Sequence, residues 1–249
     1  MITTSLYFFQ EKILFRPTVL AQDYQYNFSY PFEELFLKTE DDAVINALHF
    51  KARNSKGVIL YFHGNAGDLS RWGTITEYFV NMNYDVLVMD YRTYGKSTGV
   101  LSEEALYKDA QLCYNTLKQT YSEDQITVYG RSLGTAIAAK VAATNNPKQL
   151  ILETPYYSIV DVAKSRFPFM PISYLMNYEL PTHQFIGDVK CNIYMFHGTD
   201  DNVVPFSSGE KLFKVSPQDR TTFTTIKNAG HNNLIDFELY HQQIKVILH

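Results

Sequence analysis

Residues 126–134 read Ile-Thr-Val-Tyr-Gly-Arg-Ser-Leu-Gly, and this stretch decides the fold. Its first four residues, Ile126–Tyr129, form a short apolar run that suits a strand buried on both faces. The next segment holds five alanines between Gly134 and Thr144, which predicts a helix able to lie close against a sheet. The G-x-S-x-G pattern between them predicts a sharp turn that exposes the Ser132 hydroxyl at the sheet edge, where glycines remove side chains that would collide.

The same alternation of strand and helix patterns continues along the chain. Short apolar runs predict further buried strands at Gly57–Phe62, Asp85–Asp90, Leu150–Leu152, Ile193–Phe196 and Phe223–Ile226. Helical spacing lies between them, with Ser102 as an N-cap candidate, and a last helix is expected within Asn232–Leu248. Glu34–Lys38 and Val44–Phe50 predict an antiparallel pair. We therefore expect a three-layer αβα sandwich with a mostly parallel central sheet of about eight strands.

Composition excludes several classes of protein. The 249 residues, 45% of them hydrophobic, suffice for one domain with a buried core. Twenty-two Lys and Arg against 26 Asp and Glu leave no basic excess for binding nucleic acid. Two cysteines, Cys113 and Cys191, cannot form a disulfide framework and fit a reducing compartment. No His-x-x-x-His or Cys-x-x-Cys spacing occurs, so we expect neither a metal nor a cofactor.

The N-terminal segment admits two interpretations. We read residues 1–249 as a single domain in which residues 1–30 are a lead-in, with Met1–Pro17 an amphipathic segment that packs on the domain. The alternative is the remnant of a membrane anchor whose upstream part this chain lacks. No stretch reaches the ~20 apolar residues of a transmembrane helix, and no signal-peptide pattern is present. We expect a cytoplasmic protein, with membrane association through the N-terminus as the alternative.

Residues at two other strand ends can activate the serine. A serine hydroxyl is a weak nucleophile that needs a base, itself oriented by an acid. His231 follows a glycine after the predicted strand Phe223–Ile226, where a loop histidine can swing over Ser132. Asp200 and Asp201 follow Ile193–Phe196. We choose His231 as the base and Asp201 as the acid, and keep two alternatives for the acid, Asp200 and Glu153.

The loop after the predicted strand Gly57–Phe62 supplies the next requirement, donors for an oxyanion. Its sequence, His-Gly-Asn-Ala-Gly at residues 63–67, has small residues that let the backbone approach a substrate closely. We expect the donors to be the backbone N–H groups of Asn65 and of Leu133, the residue after the serine. His63 is expected to form hydrogen bonds within the loop, and Arg131 to make structural hydrogen bonds.

Taken together, these residues resemble the α/β-hydrolase superfamily. The matching blocks are His63–Gly67, Asp90–Gly99, Gly130–Gly134, Leu152–Pro155, His197–Pro205 and Gly230-His231. The chain is most similar to small single-domain serine hydrolases with an HGNAG loop. The resemblance implies that the aspartate of the HGxxDxxVP block, Asp201, is the acid. Family members often carry glycine at the positions of Thr93 and Thr135.

Residues 155–190 connect two predicted strands at the place where such hydrolases insert a cap. This segment is short for a full lid domain. The segment is rich in aromatic residues. We predict that Tyr156, Phe169 and Met170 line an apolar substrate pocket, with core packing as the alternative.

These expectations define an enzyme of one reaction class. We expect a serine hydrolase that cleaves carboxylic esters through an acyl-enzyme, with a small-molecule ester as its substrate. An acyl-thioesterase, a lipid hydrolase and a peptidase would use the same three residues, and relatives of the resembled kind include thioesterases that depalmitoylate proteins. A non-catalytic binding module is the least favoured alternative. Oligomeric state, acyl chain length and the alcohol part have no readable signal in the sequence.

Overall fold

The computed structural model describes residues 10–249. The first part of the expected N-terminal lead-in, residues 1–9, lies outside the described residues. The following residues pack on the rest of the chain. The Phe15 ring meets Tyr178 edge-on at 4.9 Å between centroids, and the Gln10 side chain donates to the Leu175 carbonyl at 3.2 Å.

One twisted sheet organises the chain. Its strands, in chain order, are β1 Phe32–Lys38, β2 Val44–Phe50, β3 Val58–Phe62, β4 Asp85–Met89, β5 Ile126–Arg131, β6 Gln149–Glu153, β7 Asn192–Gly198 and β8 Thr221–Ile226. In space they lie in the order β8-β7-β6-β5-β3-β4-β2-β1. The pairs β1–β2 and β2–β4 are antiparallel and all others are parallel. The predicted mostly parallel sheet of about eight strands is confirmed.

Helices cover both faces of this sheet. In chain order they are α1 Leu69–Val80, α2 Glu103–Leu117, α3 Gly134–Thr144, α4 Ile159–Arg166, α5 Ile172–Leu175, α6 Thr182–Phe185, α7 Phe206–Val215 and α8 Glu238–Ile247. Side chains of α2, α3 and α7 join one apolar core, and side chains of α1 and α8 join the other. Along β3, Leu60 and Phe62 enter the first core while Ile59 and Tyr61 enter the second. The three-layer sandwich is thus confirmed, and strands buried on both faces explain the continuous apolar runs.

Two helix starts show how local chemistry sets the boundaries. The Ser102 side chain accepts a hydrogen bond from the Ala105 N–H at 3.1 Å, so the predicted N-cap of α2 is confirmed. The last helix lies within Asn232–Leu248, as predicted, and occupies only its later part. Leu234–Asp236 forms a 3₁₀ turn, and Phe237 has an extended backbone (φ −104°, ψ 129°), so α8 starts only at Glu238.

The segment 155–190 lies between β6 and β7 and contains the short helices α4, α5 and α6. Among residues 10–249, no helix is both long enough and apolar enough to cross a membrane. The strand order places the carboxyl ends of the parallel strands β3, β5, β6, β7 and β8 at one edge of the sheet, where open α/β sheets bind ligands.

Candidate active site

Ser132 stands on the turn between β5 and α3. Its backbone has φ +50°, a left-handed conformation that residues other than glycine seldom adopt. Two backbone hydrogen bonds hold the turn: the Ser132 N–H donates to the Glu153 carbonyl at 2.9 Å, and the Thr135 N–H donates to the Ser132 carbonyl at 2.9 Å. The strained serine backbone is therefore fixed by β6 on one side and by the first turn of α3 on the other.

The glycines of the motif are required by close backbone approach. A Cβ on Gly134 would collide with the carbonyl oxygen of Phe62 at the end of β3. A Cβ on Gly130 would lie 2.5 Å from the Gly134 carbonyl oxygen and 2.6 Å from the Ala138 Cβ. The collision argument made from the sequence is confirmed, and it places α3 directly against the sheet.

Ser132, His231 and Asp201 form one hydrogen-bonded chain. His231 Nε2 lies 2.9 Å from the Ser132 Oγ, and His231 Nδ1 lies 2.8 Å from the Asp201 Oδ2. Because an ionised carboxylate only accepts hydrogen bonds, the neutral imidazole carries its proton on Nδ1. Its Nε2 is then free to accept the serine proton. The structure brings together the three residues that the sequence analysis chose, and their roles in a reaction stay predictions.

The Asp201 carboxylate is surrounded by donors. Its Oδ1 accepts the backbone N–H groups of Val203 and Val204, both at 2.8 Å. Its Oδ2 faces His231 and, at 3.3 Å, the Nε2 of His197. Burial alone would raise the pKa of the Asp201 carboxyl, but the hydrogen bonds from His197 and His231 hold this pKa well below its ordinary value. The carboxylate therefore stays ionised throughout the neutral pH range.

The two alternative acids have other partners. Asp200 is exposed, and its carboxylate accepts a hydrogen bond from the Thr199 hydroxyl at 2.8 Å. Glu153 accepts from the Tyr129 hydroxyl at 2.5 Å and pairs with the Arg131 Nε at 3.2 Å. Asp201, and neither of these two, accepts the Nδ1–H of His231, which favours Asp201 as the orienting group.

The predicted oxyanion loop lies beside Ser132. A Cβ built on Gly64 would be 3.8 Å from the Ser132 Cβ, so the backbone of this loop passes close to the serine. Leu133 has helical backbone angles at the start of α3, where N–H groups lie at the positive end of the helix dipole. Within residues 10–249, the N–H groups of Asn65 and Leu133 donate to no protein acceptor. Both are available to a ligand, and their role as oxyanion donors stays a prediction.

A short N-terminal strand braces this loop, which the sequence analysis did not foresee. Arg16–Pro17 pairs in parallel with Ala66–Gly67, and the Arg16 N–H donates to the Asn65 carbonyl at 2.8 Å. The Tyr94 hydroxyl donates to the same carbonyl at 2.7 Å, and the Asn65 side chain donates to the Leu14 carbonyl at 3.1 Å. A two-residue strand has no periodicity, so no pattern could have found it.

His63 is not part of the hydrogen-bonded chain of Ser132, His231 and Asp201. It is fully buried, its Nδ1 donates to the Gly64 carbonyl at 2.6 Å, and its Nε2 lies 3.3 Å from the Asp90 carboxylate. This agrees with the structural role expected from the sequence. Burial raises the pKa of the Asp90 carboxyl, while the neighbouring His63 acts in the opposite direction.

The three residues predicted to contact substrate lie in different surroundings. Tyr156 is buried, and its hydroxyl donates to the Leu133 carbonyl at 3.0 Å, one residue from the serine. Phe169 is fully exposed and Met170 is half-buried. Tyr156 thus supports the turn of Ser132 from inside the core, in agreement with the packing alternative. As substrate-contacting residues all three stay predictions.

Arg131 occupies the position between the strand and the serine, and it makes structural contacts as expected. Besides pairing with Glu153, its guanidinium lies over the Trp72 ring at 5.6 Å and donates to the Asn232 carbonyl at 3.4 Å. Asn232 follows His231 directly, so one buried side chain connects the serine turn to the histidine loop. Among residues 10–249, no group of three His, Cys, Asp or Glu side chains could hold a metal ion.

The strand order, and a serine on the turn from β5 to α3, are those of the α/β-hydrolase superfamily. The family model described as serine aminopeptidase, S33 (Hydrolase_4) matches residues 53–182, more than half of the chain. The chain belongs to this family of hydrolases, and the resemblance read from its motifs is confirmed.

Two named relatives are similar over most of the chain. Lysophosphatidylserine lipase ABHD12 of Danio rerio is 31% identical over 189 residues, which cover 68% of this chain and 50% of that protein. Alpha/beta hydrolase domain-containing protein 17C of Homo sapiens is 30% identical over 220 residues, covering 86% of this chain and 64% of that protein. This chain therefore spans between half and two thirds of the length of these two relatives.

Solved structures share the fold. The esterase Pf2001 of Pyrococcus furiosus superimposes with a TM-score of 0.72 and 17% sequence identity, covering 94% of this chain and 95% of that one. Acetyl xylan esterase 1 of Thermoanaerobacterium gives a TM-score of 0.69 at 17% identity, covering 92% of this chain and 87% of that one. At such identities the likeness concerns the fold alone.

Proposed function

We propose that this hydrolase cleaves carboxylic esters by a two-step mechanism with Ser132 as the nucleophile. The observation that carries the proposal is the unbroken hydrogen-bonded chain from the Ser132 Oγ through His231 to Asp201, with contacts of 2.9 and 2.8 Å. A serine hydroxyl becomes a competent nucleophile when a base accepts its proton as it attacks.

In the first step the Ser132 Oγ attacks the ester carbonyl carbon, and His231 Nε2 accepts the serine proton. The resulting imidazolium is stabilised by the ionised Asp201 on Nδ1. When the tetrahedral intermediate collapses, the imidazolium donates its proton to the leaving alcohol and the acyl group stays on Ser132. In the second step His231 takes a proton from water as the water oxygen attacks the acyl carbonyl carbon. The second tetrahedral intermediate then breaks its bond to the Ser132 Oγ, the imidazolium returns its proton to that oxygen, and the acid product leaves.

The negative oxygen of both tetrahedral intermediates needs fixed donors. The backbone N–H groups of Asn65 and Leu133 serve this purpose in the proposal, because they flank the serine and have no acceptor among residues 10–249. A preorganised donor of this kind contributes about 10²–10³ in rate. The brace of Arg16 and Tyr94 on the Asn65 carbonyl supports such preorganisation.

Esters are our choice of substrate because the fold neighbours named above are esterases. The family and one relative point to other substrates: the family is that of serine aminopeptidase, S33, and the relative is a lysophosphatidylserine lipase. Amides, thioesters and lipid esters are therefore the second candidates for the same three residues. Our proposal includes a small-molecule ester as the partner, and a cytoplasmic setting, which two free thiols, Cys113 and Cys191, would suit.

The test is a set of initial rates on p-nitrophenyl esters from acetyl to palmitoyl. Wild-type protein is compared with Ser132→Ala and with Ser29→Ala, a matched change at an exposed serine. We expect turnover that disappears in Ser132→Ala, which keeps its fold by circular dichroism, and persists in Ser29→Ala.

The chain-length profile then separates the substrate classes. A maximum at short acyl chains indicates a general esterase, and a maximum at long chains indicates a lipid or acyl-protein substrate. Undiminished hydrolysis by Ser132→Ala would overturn the proposed mechanism. Absence of ester turnover, with Ser132-dependent cleavage of matched thioesters or aminoacyl amides, would replace the ester proposal by the second candidates.

A further inference from the structure

His197 is a second histidine on the carboxylate of Asp201, and the proposed reaction gives it no role. It lies near the end of β7, four residues before Asp201, and is completely buried. Its Nε2 is 3.1 Å from the Val204 carbonyl oxygen and 3.3 Å from the Asp201 Oδ2. One ring nitrogen therefore faces two acceptors on the turn that carries the acid.

The surroundings determine which nitrogen carries the proton. A carbonyl and a carboxylate both require a donor, so the proton of the neutral ring lies on Nε2. The other nitrogen, Nδ1, is buried and has no hydrogen-bond partner within residues 10–249. An unprotonated Nδ1 is the form compatible with that apolar side. His197 therefore acts as a donor toward Asp201, while His231 is the donor that the reaction uses.

Packing fixes the orientation of the ring. A Cβ on Gly209 of α7 would collide with the His197 Nδ1, so the helix backbone lies directly against the imidazole. The rings of Phe206 and Phe223 lie 5.5 and 6.5 Å from it between centroids. The Nε2–H therefore points at the Asp201–Val204 turn without the freedom to rotate away.

Backbone hydrogen bonds of Val204 also hold the turn that carries Asp201. Val204 donates its N–H to the Asp201 Oδ1 and receives the His197 Nε2–H on its carbonyl oxygen. His197 thus joins the carboxylate to the far end of its turn. If the ring were absent, the backbone donors would still hold Oδ1, but the oxygen that faces His231 would lose its second donor.

We propose that His197 is a positioning residue of this active site, which donates from Nε2 to Asp201 and Val204 and so holds Asp201 Oδ2 in line with His231. The inference rests on the proposed function, in which Asp201 orients the base. It also gives His197 an electrostatic effect, because a donor shared by the carboxylate weakens the attraction of Asp201 for the His231 proton. Removal of the donor therefore favours the imidazolium of His231.

The other charged groups near Asp201 and His197 are left unchanged by a substitution of His197. Asp200 lies beside the acid on the exposed side. From α4, Arg166 contacts the carbonyls of Asn202 and Val203, and from β5 the paired Arg131 reaches the histidine loop. On α7, Lys211 is paired with Asp161. None of them contacts the His197 ring, so a change confined to that ring reports the ring itself.

The experiment compares wild type with His197→Phe, which removes the donor and keeps a ring, and with His197→Gln, whose amide N–H can reach the position of Nε2. The readouts are kcat, with the active sites counted by a fluorophosphonate probe, KM, and the pH dependence of kcat/KM. For His197→Phe we expect kcat to fall about tenfold while KM stays within about twofold of wild type. We also expect the acid limb, the decline of kcat/KM at acidic pH, to move up by about half a pH unit. His197→Gln restores most of both.

A matched control is His49→Phe, which replaces another buried strand histidine remote from Ser132. It is expected to keep the wild-type acid limb. Loss of stability in His197→Phe, with wild-type kcat per active site and an unmoved acid limb, would overturn the proposal and leave His197 a packing residue. A well-folded His197→Gln that behaves like His197→Phe would also overturn the donor argument.

A second measurement separates this inference from the proposed function. The titration of the His231 ring is followed by NMR without substrate in wild type and in His197→Phe. An upward shift in the variant supports the contact through Asp201 even if the wild type cleaves no ester, in which case the proposed function alone fails. Equal titration in both proteins overturns the inference while Ser132-dependent turnover stands.

Discussion

Asp200 and Asp201 are neighbours in sequence with opposite surroundings. The Asp201 side chain is buried under four donors, whereas Asp200 is exposed and accepts from the Thr199 hydroxyl. We predict that Asp201→Asn lowers kcat by about 10³–10⁴, as expected when the orienting acid of such a site is neutralised. The backbone N–H groups of Val203 and Val204 keep the amide oxygen on their side, so the amide NH₂ faces His231. The imidazole proton then moves to Nε2, and this nitrogen can no longer accept the serine proton.

Asp200→Asn is the matched change for this prediction. It alters the same charge one residue away, and we expect its kcat to stay within about twofold of wild type because Asp200 has no contact with the imidazole. Steady-state kinetics of the two variants at pH 7 give the comparison. Equal losses in both, or a larger loss in Asp200→Asn, would contradict the assignment of Asp201.

At this scale the sequence predicts residue identity better than conformation. The order serine, acid, histidine along the chain, and the strand end before each, point to Ser132 and His231 and leave Asp200 and Glu153 as alternatives to Asp201. The resemblance to the HGxxDxxVP block supports Asp201, the residue that contacts His231 in the structure. The donors around Asp201 are not readable, because they come from tertiary packing of a short turn. Thr93 is informative in another way: it stands where relatives often have glycine, and its backbone has φ +74°. The chain tolerates there a conformation for which glycine is better suited.

Several elements meet on the buried pair of Arg131 and Glu153. The pair joins β5 to β6, is almost fully buried on both sides, and reaches the loop of His231 through the Asn232 carbonyl. We predict that Arg131→Met lowers the free energy of unfolding by about 3–5 kcal/mol, because it leaves the Glu153 carboxylate buried without its counter-charge. The double variant Arg131→Met/Glu153→Gln is expected to recover part of that loss, since the amide oxygen still accepts from Tyr129.

Urea unfolding of the single and double variants measures this coupling. Arg220→Met is the surface comparison, because Arg220 pairs with the exposed Asp219, and it is expected to cost less than about 1 kcal/mol. A single variant that is no less stable than the double variant would show that Glu153 does not depend on Arg131 for its burial.

Elements follow the sequence pattern where burial dictates it. The central strands were predicted within one or two residues at each end, because strands covered on both faces must be apolar throughout. The last helix lies within the predicted range, but the pattern does not show where it starts, because Phe237 is at helical spacing from Tyr240 while its backbone is extended. The strand Arg16–Pro17 was missed because its pairing with Ala66–Gly67 depends on the whole chain having folded around the oxyanion loop.

In the molecule as a whole, the titratable groups of the candidate site and His49, for which we predict an effect on stability in acid, lie in different places. The candidate site occupies the carboxyl edge of the parallel strands. His49 lies on β2, an antiparallel strand, beside Lys51 and the Tyr121 hydroxyl, which itself donates to Asp85. Burial, reinforced by the charge of Lys51 and opposed by Asp85, lowers the pKa of His49 to about 4.

The lowered pKa fixes the sign of a pH effect on stability. Above the ordinary histidine pKa of 6.5 the His49 ring is neutral in the folded and unfolded states and contributes nothing. As the pH falls from 6.5 toward 4, the unfolded chain binds a proton that the folded chain refuses, so the free energy of unfolding falls. The full effect corresponds to about 3 kcal/mol. We predict that His49→Phe removes this loss, so the variant gains about 3 kcal/mol on wild type between pH 8 and pH 4.

Urea unfolding of both proteins at pH 8 and at several values down to pH 4 tests the prediction. The difference at pH 8 contains the changes in packing and in the contacts with Lys51 and Tyr121, without any titration, because the ring is neutral in both states there. It serves as the reference for the lower values. Since His49 lies away from Ser132, we expect the same variant to keep the wild-type decline of kcat/KM at acidic pH. Stability and activity would then respond to acid through different histidines. Parallel stability curves for the two proteins would show that acid unfolds this molecule through groups other than His49.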